Sequence, residues 1–538
     1  MPSDCKKHLN GFYSLKTIRF LTKPALMIAL LVVTAGFVSV MLGQDANWDL
    51  QNYHIYDAFA VLNARRLLDP GTTPQWYLNP ALDIPYYLML KSINNFPRLI
   101  AFIQGGYAGI LWYVLWRLSG LWQQRVIQLS RLIAWLAACT GAALIAETGT
   151  TFNDIPTTLM TVAGITLIGK EIVAHHNRRA LCAGFFLLGA ATGLKLTSAV
   201  YLLAAGAAFL CTRRSPRLLG LAIVIGAIGI ITTGGWWFST MQVDYGSPLF
   251  PFMNNITHSD WWPLSSSSDP RFLPQTVAQW FFYPFYWLTS NTTTTEVPFA
   301  DPRILIGLLS SITVLGQAVI YKPLYVQSEV TRNRRNALTF LACFYVVAYL
   351  LWLRMFSIYR YAMPLECMGP FMLLAALRWR LPDQQTLTKI QTTLLVLILG
   401  ACAFMTRYPD WMHIGYGDKA ITVSTKFNLR GTTLLAPAGD PPVAYLFPFL
   451  HAEHYITVGG DEFLNTEIFA SGSAIIQHSP RVVGLVKTDF SRDEFGKRIK
   501  KYWSLIPVTQ SCKKLSTNIE GDFLLCELTP LLPQTPTN

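Results

Sequence analysis

Several polar residues follow directly on the first long apolar block of the chain, in the segment 44–57. If this segment is helical, Asp45, Asp49, Asn52 and Tyr56 are spaced i, i+4, i+7 and i+11 and form one polar stripe. Two carboxylates four residues apart repel each other unless a cation or a proton donor lies between them. That repulsion raises the pKa of one carboxyl group, as suits a general base. A solvated interfacial helix would carry a similar polar face, so the stripe alone leaves both interpretations open.

A second group of acids lies in the short segment Glu147–Pro156. Asp154 stands two residues before Pro156, which is a position typical of the cap of a following helix. A functional carboxylate at the same position is equally compatible with the pattern. Asp154 is therefore both a candidate N-cap and a candidate catalytic acid.

Three basic residues lie on the outer side of the membrane in the topology that the other Lys and Arg residues indicate. Positive charge is uncommon on that side. Lys195 separates two short apolar segments, and a lysine within a helical bundle is costly unless it has a function or reaches the interface. Arg354 and Arg360 require an anionic partner. That partner is Glu366, an acid of the outer loops, or a phosphate, which a guanidinium group binds through two hydrogen bonds.

Apolar blocks of bilayer-spanning length are the elements that must position these side chains. The chain has 538 residues, of which 52% are hydrophobic and 14% charged, whereas soluble domains average about 25% charged residues. A spanning helix needs about 20 residues, and the sequence predicts eleven spans. They are Pro24–Gly43, Arg98–Leu118, Leu132–Ala146, Ile155–Ile172, two short spans within Leu181–Cys211 that meet near Lys195, Leu218–Phe238, Ile304–Tyr321, Ala337–Leu353, Tyr361–Leu377 and Ile390–Thr406.

The basic residues predict the orientation of these spans. Lys and Arg concentrate before the first span and in alternate connecting loops, and such residues are retained on the cytoplasmic side. The prediction is a multi-pass protein of the plasma (inner) membrane, with a cytoplasmic N-terminus and an extracytoplasmic C-terminal domain. The net charge of +13 therefore reports orientation and gives no support to nucleic acid as a partner.

Three segments outside the predicted membrane region are longer than simple connectors, which suggests that they fold or function. They are Gln44–Pro97, Ser239–Asp301 and Arg407–Asn538. The second is rich in aromatic residues, as in an interfacial aromatic belt or, alternatively, a surface that stacks sugars or guides lipid.

The third long segment predicts a small α/β domain, and it gives the division 1–406 for the membrane domain and 407–538 for the outer domain. Val443–Phe447, Val482–Val486 and Gly521–Leu528 are predicted strands, and Arg492–Leu505 is a predicted amphipathic helix. Cys512 and Cys526 could form a disulfide outside the cytoplasm. Nine cysteines in the whole chain are too few and too scattered for a cysteine-rich scaffold.

The chain resembles the polytopic glycosyltransferases of the GT-C superfamily, which use polyprenyl-phosphate sugar donors. The segment Trp48–Tyr56 is similar to the Asp-x-x-x-Tyr pattern of family 87-like, mannosyltransferase-like members, and Tyr77–Leu82 is similar to their Tyr-x-x-Pro-x-Leu segment. Asp154 takes the place of the acid before their fourth span. Lys195-Leu-Thr and Arg360-Tyr-Ala-Met-Pro-Leu resemble their Gly-x-x-Lys-x-Thr and Arg-Tyr-x-x-Pro-Leu pieces. The spacing of Asp45 and Asp49 departs from an adjacent acidic pair and leaves open which carboxylate is catalytic.

This resemblance implies a hexosyl- or pentosyltransferase that inverts the sugar at the outer face of the membrane. Asp49 would take the proton of the acceptor hydroxyl group. Asp45 or Asp154 would orient the acceptor or hold a divalent cation such as Mg²⁺ or Mn²⁺, and Lys195 and Arg360 would neutralise the departing lipid phosphate. The acceptor is a glycan, a lipid or a protein, and the outer domain would shape its side of the site. The expected substrate-binding residues are Lys195, Arg360, Tyr361, Asn52, Tyr53, His54 and Arg354.

A transporter or flippase for a lipid-linked or anionic substrate is the alternative class. Transporters tend to show paired repeats and ionisable groups near the membrane midplane. No obvious repeat is present here, and the unexplained charges lie at the outer rim. A scaffold protein would need no arrangement of acids and cations. Convergence of Asp45, Asp49, Asp154, Lys195 and Arg360 on one place would favour the transferase.

Overall fold

The fold is seen in a computed structural model, which describes residues 23–121, 129–174, 178–213, 215–267, 269–320, 329–379, 387–487 and 494–531. These residues form a mostly helical protein with a small β-sheet near the C-terminus.

Among these residues, six helices are long and apolar enough to cross a membrane. They are Pro24–Leu42, Pro97–Ser119, Asp154–Ala174, Pro216–Tyr245, Arg303–Ile320 and Thr331–Met355. Five of the eleven predicted spans correspond instead to helices of 11 to 17 residues, which are shorter than the length of about 20 residues that a bilayer requires. These are Leu129–Cys139, Arg178–Leu194, Ala199–Arg213, Met363–Arg378 and Lys389–Met405.

Among the described residues, the six helices of membrane-spanning length are fewer than the eleven predicted spans. In the predicted span Leu132–Ala146, the apolar run continues across a break in the helical backbone. Gly141 is extended and separates the helix Leu129–Cys139 from the short helix Ala142–Ala146. Lys195 is also extended, and it separates the helices Arg178–Leu194 and Ala199–Arg213 at the place that the sequence predicts.

Close backbone contacts between helices hold the bundle together. A Cβ atom at Gly109 would lie 2.5 Å from the carbonyl oxygen of Leu31, and one at Gly189 would collide with the carbonyl oxygen of Gly226. Small residues let helix backbones approach in this way, and such contacts are common between membrane helices.

Shorter elements connect the bundle to the sheet. The segment after the first helix contains a π-helical turn, Leu50–His54, followed by the helices Ile55–Leu62 and Ile84–Ile93. The aromatic segment contains the short helices Asn254–Thr257 and Val277–Phe282. Trp262 and Trp287 of this segment are buried, whereas Phe281 and Phe282 are exposed.

The described residues contain nine strands, two of which form a separate ribbon. Strands β1 (Gln44–Asp45) and β2 (His413–Ile414) pair with each other in antiparallel fashion. The strands of the larger sheet are β3 (Val423–Thr425), β4 (Thr433–Pro437), β5 (His454–Val458), β6 (Val482–Val486), β7 (Leu505–Pro507), β8 (Lys513–Thr517) and β9 (Gly521–Pro530). Their order in the sheet is β3-β8-β9-β6-β4-β5, with β7 paired to β9. Strand β4 is parallel to both β5 and β6.

Most predicted elements of the C-terminal segment are confirmed. The strands β6 and β9 lie at the predicted places, the amphipathic helix runs over Glu494–Trp503, and Cys512 is joined to Cys526. The predicted strand Val443–Phe447 is wrong, since this run forms a 3-10 turn followed by the short helix Phe447–Leu450. A proline near the start of that helix favours the helical conformation. A further helix, Glu467–His478, precedes β6.

The sheet packs on the long segment that follows the first helix. The Tyr455 amide donates to the Asp69 carboxylate at 2.9 Å, and the Thr72 amide donates to the Thr457 hydroxyl group at 2.9 Å. Together with the β1–β2 ribbon, these bonds join residues far apart in sequence. The segment Gln44–Pro97 is therefore held between the helical bundle and the sheet.

Candidate functional site

Four charged side chains from four separate segments meet where the helical bundle joins this layer. The Arg360 guanidinium lies 3.0 Å from Asp49 Oδ2 and 3.6 Å from Asp154 Oδ2. Lys195 Nζ lies 2.5 Å from the other oxygen of Asp154, Oδ1. The sequence predicted each of these residues, and the structure brings them together as alternating acids and cations.

These side chains lie at the ends of helices, where the helical backbone is interrupted. Asp154 opens the helix Asp154–Ala174, and its carboxylate bonds Lys195 in place of a backbone amide of its own helix. Lys195 lies in the extended break after Leu194, where its Nζ also donates to the carbonyl oxygen of Phe152 at 2.9 Å. Arg360 lies in a buried 3-10 turn just before the helix Met363–Arg378. Such irregular backbone within a membrane bundle is tolerated where protein surrounds it or where it lines a cavity.

Asp49 is anchored through only one of its two carboxylate oxygens. Tyr53 donates its hydroxyl group to Asp49 Oδ2 at 2.8 Å, and Arg360 bonds the same atom. Within the described chain, Oδ1 has no hydrogen-bond partner, and the side chain keeps 11% of its surface exposed. Burial acts to raise the pKa of Asp49, but Arg360, His54, Tyr53 and Lys195 outweigh it and hold that pKa below its ordinary value. Asp49 is therefore an ionised carboxylate with one open oxygen.

Aromatic rings surround the two cations. The Arg360 guanidinium lies over the Phe152 ring at 4.2 Å from its centre, and Lys195 Nζ lies 5.1 Å from the centre of the Tyr361 ring. Tyr201 donates its hydroxyl group to the carbonyl oxygen of Tyr361 and fixes this part of the backbone. Contacts between cations and ring faces are attractive, most of all where water is excluded. The rings thus help to keep both cations in place without neutralising them.

The π-helical turn Leu50–His54 sets which side chains face Asp49. Within an α-helix, residues five apart lie about 140° apart around the axis, whereas an i→i+5 turn brings them to the same side. Asp49 precedes this turn, and Tyr53, four residues later, donates its hydroxyl group to Asp49. Turns of this kind occur often at functional sites.

His54 is part of a buried polar cluster with two residues that the sequence did not single out. Its Nδ1 lies 2.7 Å from Asp83 Oδ1, and the Asn153 amide donates to that same oxygen at 2.6 Å. His54 and Asp83 are both nearly inaccessible to solvent. The imidazole Nε2 is buried without a hydrogen-bond partner in the described structure.

Asp45 has a structural position that differs from the predicted one. It lies in β1, outside any helix, so it does not form a stripe with Asp49, Asn52 and Tyr56. Its Oδ1 accepts hydrogen bonds from the Asn47 amide and side chain, and its Oδ2 accepts two from Thr151. The pKa of Asp45 is raised by burial, against the opposing effect of His413. The repulsion expected between the two acids is therefore not the cause of either pKa shift.

The remaining predicted residues are placed as follows. Asn52 is buried, with a carbonyl oxygen that accepts from the Trp76 indole and a side-chain amide nitrogen without a partner in the described part. Tyr56 bonds Asp69, away from Asp49. Arg354 is exposed at the end of its helix and makes no hydrogen bond or ion pair with any described residue, so it does not join the cluster.

The sequence placed Glu147 in the second group of acids but gave it no role in the site. Its side chain is fully buried, and neither carboxylate oxygen has a hydrogen-bond partner among the described residues. Burial and then repulsion from Asp154 raise the pKa of Glu147 well above its ordinary value. Its place seven residues before Asp154, in the same short turn, was the only available signal.

Glu366 was one of the partners expected for the two arginines, and it is used elsewhere. It accepts hydrogen bonds from the amides of Ala143 and Leu144 and from the Tyr359 hydroxyl group. Arg303 pairs with Asp301 at 2.6 Å in the same region. These buried groups cap the short helix Ala142–Ala146 and support the turn that carries Arg360.

The carboxylates of the site are matched to cations of the protein itself. Asp49 and Asp154 bond Arg360 and Lys195, and both oxygens of Asp45 are occupied by protein donors. In the ranges that the structure describes, no group of three or more His, Cys, Asp or Glu side chains is arranged to hold a metal ion. A divalent cation held by these three acids, which the resemblance allowed, does not fit this arrangement.

No family model matches the chain, and no match is found among the curated proteins.

Proposed function

We propose that this protein is a membrane glycosyltransferase of the GT-C type. It transfers a sugar, with inversion, from a polyprenyl-phosphate donor to the hydroxyl group of a glycan, lipid or protein acceptor. The observation that carries the proposal is the anchored Asp49 carboxylate, whose Oδ2 is held by Tyr53 and Arg360 while Oδ1 remains open. A general base needs an ionised, oriented and accessible oxygen of this kind.

The reaction also requires stabilisation of the leaving phosphate, for which the two cations Lys195 and Arg360 are suited. When the bond between the sugar and the phosphate breaks, negative charge develops on the phosphate oxygen, and fixed cations stabilise that charge in a water-poor site. The Lys195 side chain is 19% exposed and the Arg360 side chain 8%. Lys195 is therefore the more accessible phosphate ligand, while Arg360 links Asp49 to Asp154.

In the proposed reaction, Asp49 Oδ1 accepts the proton as the acceptor oxygen attacks the anomeric carbon. The bond from that carbon to the phosphate breaks on the opposite face, and its electron pair leaves with polyprenyl phosphate. The six apolar helices suggest a bilayer environment, which suits a lipid-linked donor. We place the reaction at the outer face of the plasma membrane, with the N-terminus in the cytoplasm and the C-terminal sheet beside the acceptor.

The test is a transfer assay with the purified full-length chain in nanodiscs. Polyprenyl-phosphate sugars that differ in the sugar are supplied one at a time, together with candidate acceptors. We expect release of polyprenyl phosphate and a product of inverted anomeric configuration for one donor. Asp49→Asn protein is the matched control and should release at most a small fraction of the wild-type amount.

A flippase would give a different result in the same preparation. If reconstituted protein moved a lipid-linked substrate between leaflets without releasing polyprenyl phosphate, the transferase proposal would be wrong. Wild-type transfer by both Asp49→Asn and Asp45→Asn proteins would also overturn the assignment of the base.

A further inference from the structure

The loop that follows β4 lies at a topological switch point of the larger sheet. From β4 the chain passes to β5 on one side and then crosses to β6 on the other side, and β4 is parallel to both. In open α/β sheets, ligands bind outside the carboxyl ends of the strands at such a point. The loop 438–442, which leaves the carboxyl end of β4, is therefore a place where a ligand is expected.

This loop contacts the residue that precedes Asp49 in the chain. The Trp48 indole N–H donates to Asp440 Oδ1 at 3.1 Å, and a Cβ atom at Gly439 would lie 3.7 Å from the Trp48 ring. Gly439 has a φ of 93°, which favours glycine, and this turn places Asp440 beside Trp48. Consecutive Cα atoms are about 3.8 Å apart, so the switch point of the sheet adjoins the segment that carries the proposed base.

The pair formed by Trp48 and Asp440 has binding capacity that the protein does not use. Trp48 is half-buried against the core, and in the described part of the chain its ring contacts neither another aromatic ring nor a cation. Asp440 is exposed, and its Oδ2 atom has no hydrogen-bond partner among the described residues. A carboxylate accepts hydrogen bonds through both of its oxygens. One oxygen of Asp440 thus holds the indole while the other is available to a ligand.

Charges of the aromatic segment connect this pair electrostatically with Arg360. The pKa of Arg271 is raised, first by its hydrogen bonds with Asp269 and further by the charges of Glu296 and Asp440. Burial acts to lower the pKa of Arg360, but nearby acids, Glu296 among them, outweigh it. Because interactions between charges weaken with distance, Glu296 links the region of Asp440 to that of Arg360.

An indole beside a free carboxylate suits a sugar ring. The C–H groups of a pyranose face pack on an aromatic ring, while its hydroxyl groups donate to a carboxylate. Hydrogen bonds to an ionised acceptor are about twice as strong as those between neutral groups. A lipid chain has no donor for Asp440, and a single serine or threonine side chain is too small to cover an indole. The pair therefore favours a carbohydrate over the other two acceptor classes.

We propose that Trp48 and Asp440 bind a sugar ring of a glycan acceptor, an inference that rests on the glycosyl transfer proposed above. The sugar stacks on the Trp48 indole and donates hydroxyl groups to Asp440 Oδ2. A hydroxyl group of this sugar, or of the one joined to it, then reaches Asp49 Oδ1. Trp48 and Asp440 hold the acceptor and take no part in the proton transfer.

The first test measures binding without a donor. In full-length protein labelled with ¹⁵N-tryptophan in nanodiscs, the indole signal of Trp48 is the one that disappears in Trp48→Phe. We expect this signal to shift on titration with a disaccharide of mannose, glucose or N-acetylglucosamine. Asp440→Asn, which keeps an oxygen for the indole, should weaken that binding about tenfold. Asp522→Asn removes an exposed acid at the start of β9 and is the matched control, with binding like that of wild type.

Two results of this titration would overturn the proposal. One is an indole signal that none of the three disaccharides shifts, or that a threonine-containing peptide or diacylglycerol shifts in their place. The other is unchanged disaccharide binding by Asp440→Asn, since the freed carboxylate oxygen would then have no role in recognition.

The second test uses the kinetics of transfer. Asp440→Asn should raise the KM for the glycan acceptor about tenfold. It should leave the KM for the donor, and kcat at saturating acceptor, near the wild-type values, because binding is lost equally in the ground state and the transition state. Trp48→Phe should raise the acceptor KM as well. A fall in kcat at every acceptor concentration, together with a lower melting temperature, would indicate a merely structural role and refute the assignment.

The glycan site and the proposed function fail in different ways. Transfer to a lipid or a protein acceptor that is unaffected by Asp440→Asn would support the transferase and refute the glycan site. Disaccharide binding at Trp48 in a protein that releases polyprenyl phosphate from no donor would refute the transferase and support a sugar-binding site.

Discussion

We assign structural support to Asp45 and proton transfer to Asp49, two roles that the sequence did not distinguish. Replacing each residue by asparagine tests this assignment. Asp45 accepts four hydrogen bonds, at 3.1 and 2.6 Å from Asn47 and at 2.8 and 2.9 Å from Thr151. Asp49 accepts two, both at Oδ2, and keeps Oδ1 open. We expect Asp45→Asn to change stability and Asp49→Asn to change the rate of transfer.

The magnitudes follow from these contacts. In Asp45→Asn, the new NH₂ group faces two donors, and each buried donor left without an acceptor costs about 1–3 kcal/mol. The free energy of unfolding should therefore fall by about 2–6 kcal/mol. In Asp49→Asn, the amide oxygen still accepts from Tyr53 and Arg360, but no base remains. Transfer should fall by about 10²–10⁴-fold, which corresponds to roughly 3–5 kcal/mol in the activation barrier.

The assays are thermal unfolding in nanodiscs and initial rates of polyprenyl-phosphate release, normalised to folded protein. Asp45→Asn should melt at a lower temperature but retain most of its activity per folded molecule at low temperature. Asp49→Asn should melt close to wild type and be nearly inactive. If Asp45→Asn melted like wild type and lost all transfer while Asp49→Asn stayed active, the assignment of the base to Asp49 would be refuted.

Three further predictions address other parts of the molecule. Lys195→Gln should lower kcat/KM for the donor by about 10²-fold, as expected for loss of one group that stabilises a developing anion, with partial recovery in Lys195→Arg as measured by donor titration. Asp57 holds its proton more tightly when folded than unfolded, so stability should fall as pH rises above about 4, by up to about 1.4 kcal/mol per pH unit, until the raised pKa is reached. Asp57→Asn should make this slope shallower in unfolding curves from pH 4 to 8, while Asp45 and Glu147, whose pKa values are also raised, keep part of it, and an unchanged slope would contradict the assignment. Reduction of the disulfide between Cys512 and Cys526, which are 14 residues apart, should lower the unfolding free energy by about 2–4 kcal/mol, whereas Cys512→Ser should be insensitive to reductant.

Residue type and spacing were enough to select Asp49, Asp154, Lys195 and Arg360, because charges in an apolar chain are few and each requires a partner. The same reasoning failed for Asp45, since its place depends on the pairing of β1 with a strand near residue 413. The predicted stripe requires a regular α-helix over residues 44–57. Nothing in the composition of Leu50–His54 distinguishes a π-helical turn from an α-helix. The contact between His54 and Asp83 therefore required coordinates.

Hydropathy identified the helices of the bundle but overestimated the number of full-length spans. An apolar run indicates which residues avoid water. The length of a helix depends also on where the helical conformation of the backbone is interrupted. Two of those breaks lie at Gly141 and Lys195, where buried polar partners occupy the gap: Glu366 beside Gly141, and Asp154 on Lys195. The positions where the regular pattern failed are thus positions that build the site or support it.

In the proposed reaction, charge balance would link the base to the phosphate. Asp49 and Asp154 are paired with Arg360 and Lys195 in this structure. If Asp49 takes the acceptor's proton, its attraction for Arg360 should weaken, and the guanidinium should become available to the leaving phosphate as negative charge develops there. Proton transfer and phosphate stabilisation would then be coupled through one ion pair.

This coupling predicts an effect of Asp49→Asn that simple loss of a base would not produce. Asparagine is neutral, as protonated Asp49 is, so it should leave Arg360 free to bind the phosphate product. Two unit charges 4 Å apart interact by about 4 kcal/mol at an effective dielectric constant of about 20, and recovery of a third of that energy would tighten binding about tenfold. The inactive variant should therefore bind polyprenyl phosphate about tenfold more tightly than wild type in nanodisc titrations, while Asp49→Asn combined with Arg360→Gln should lose this gain. Equal or weaker binding by the single variant would show that Arg360 serves only to hold Asp49.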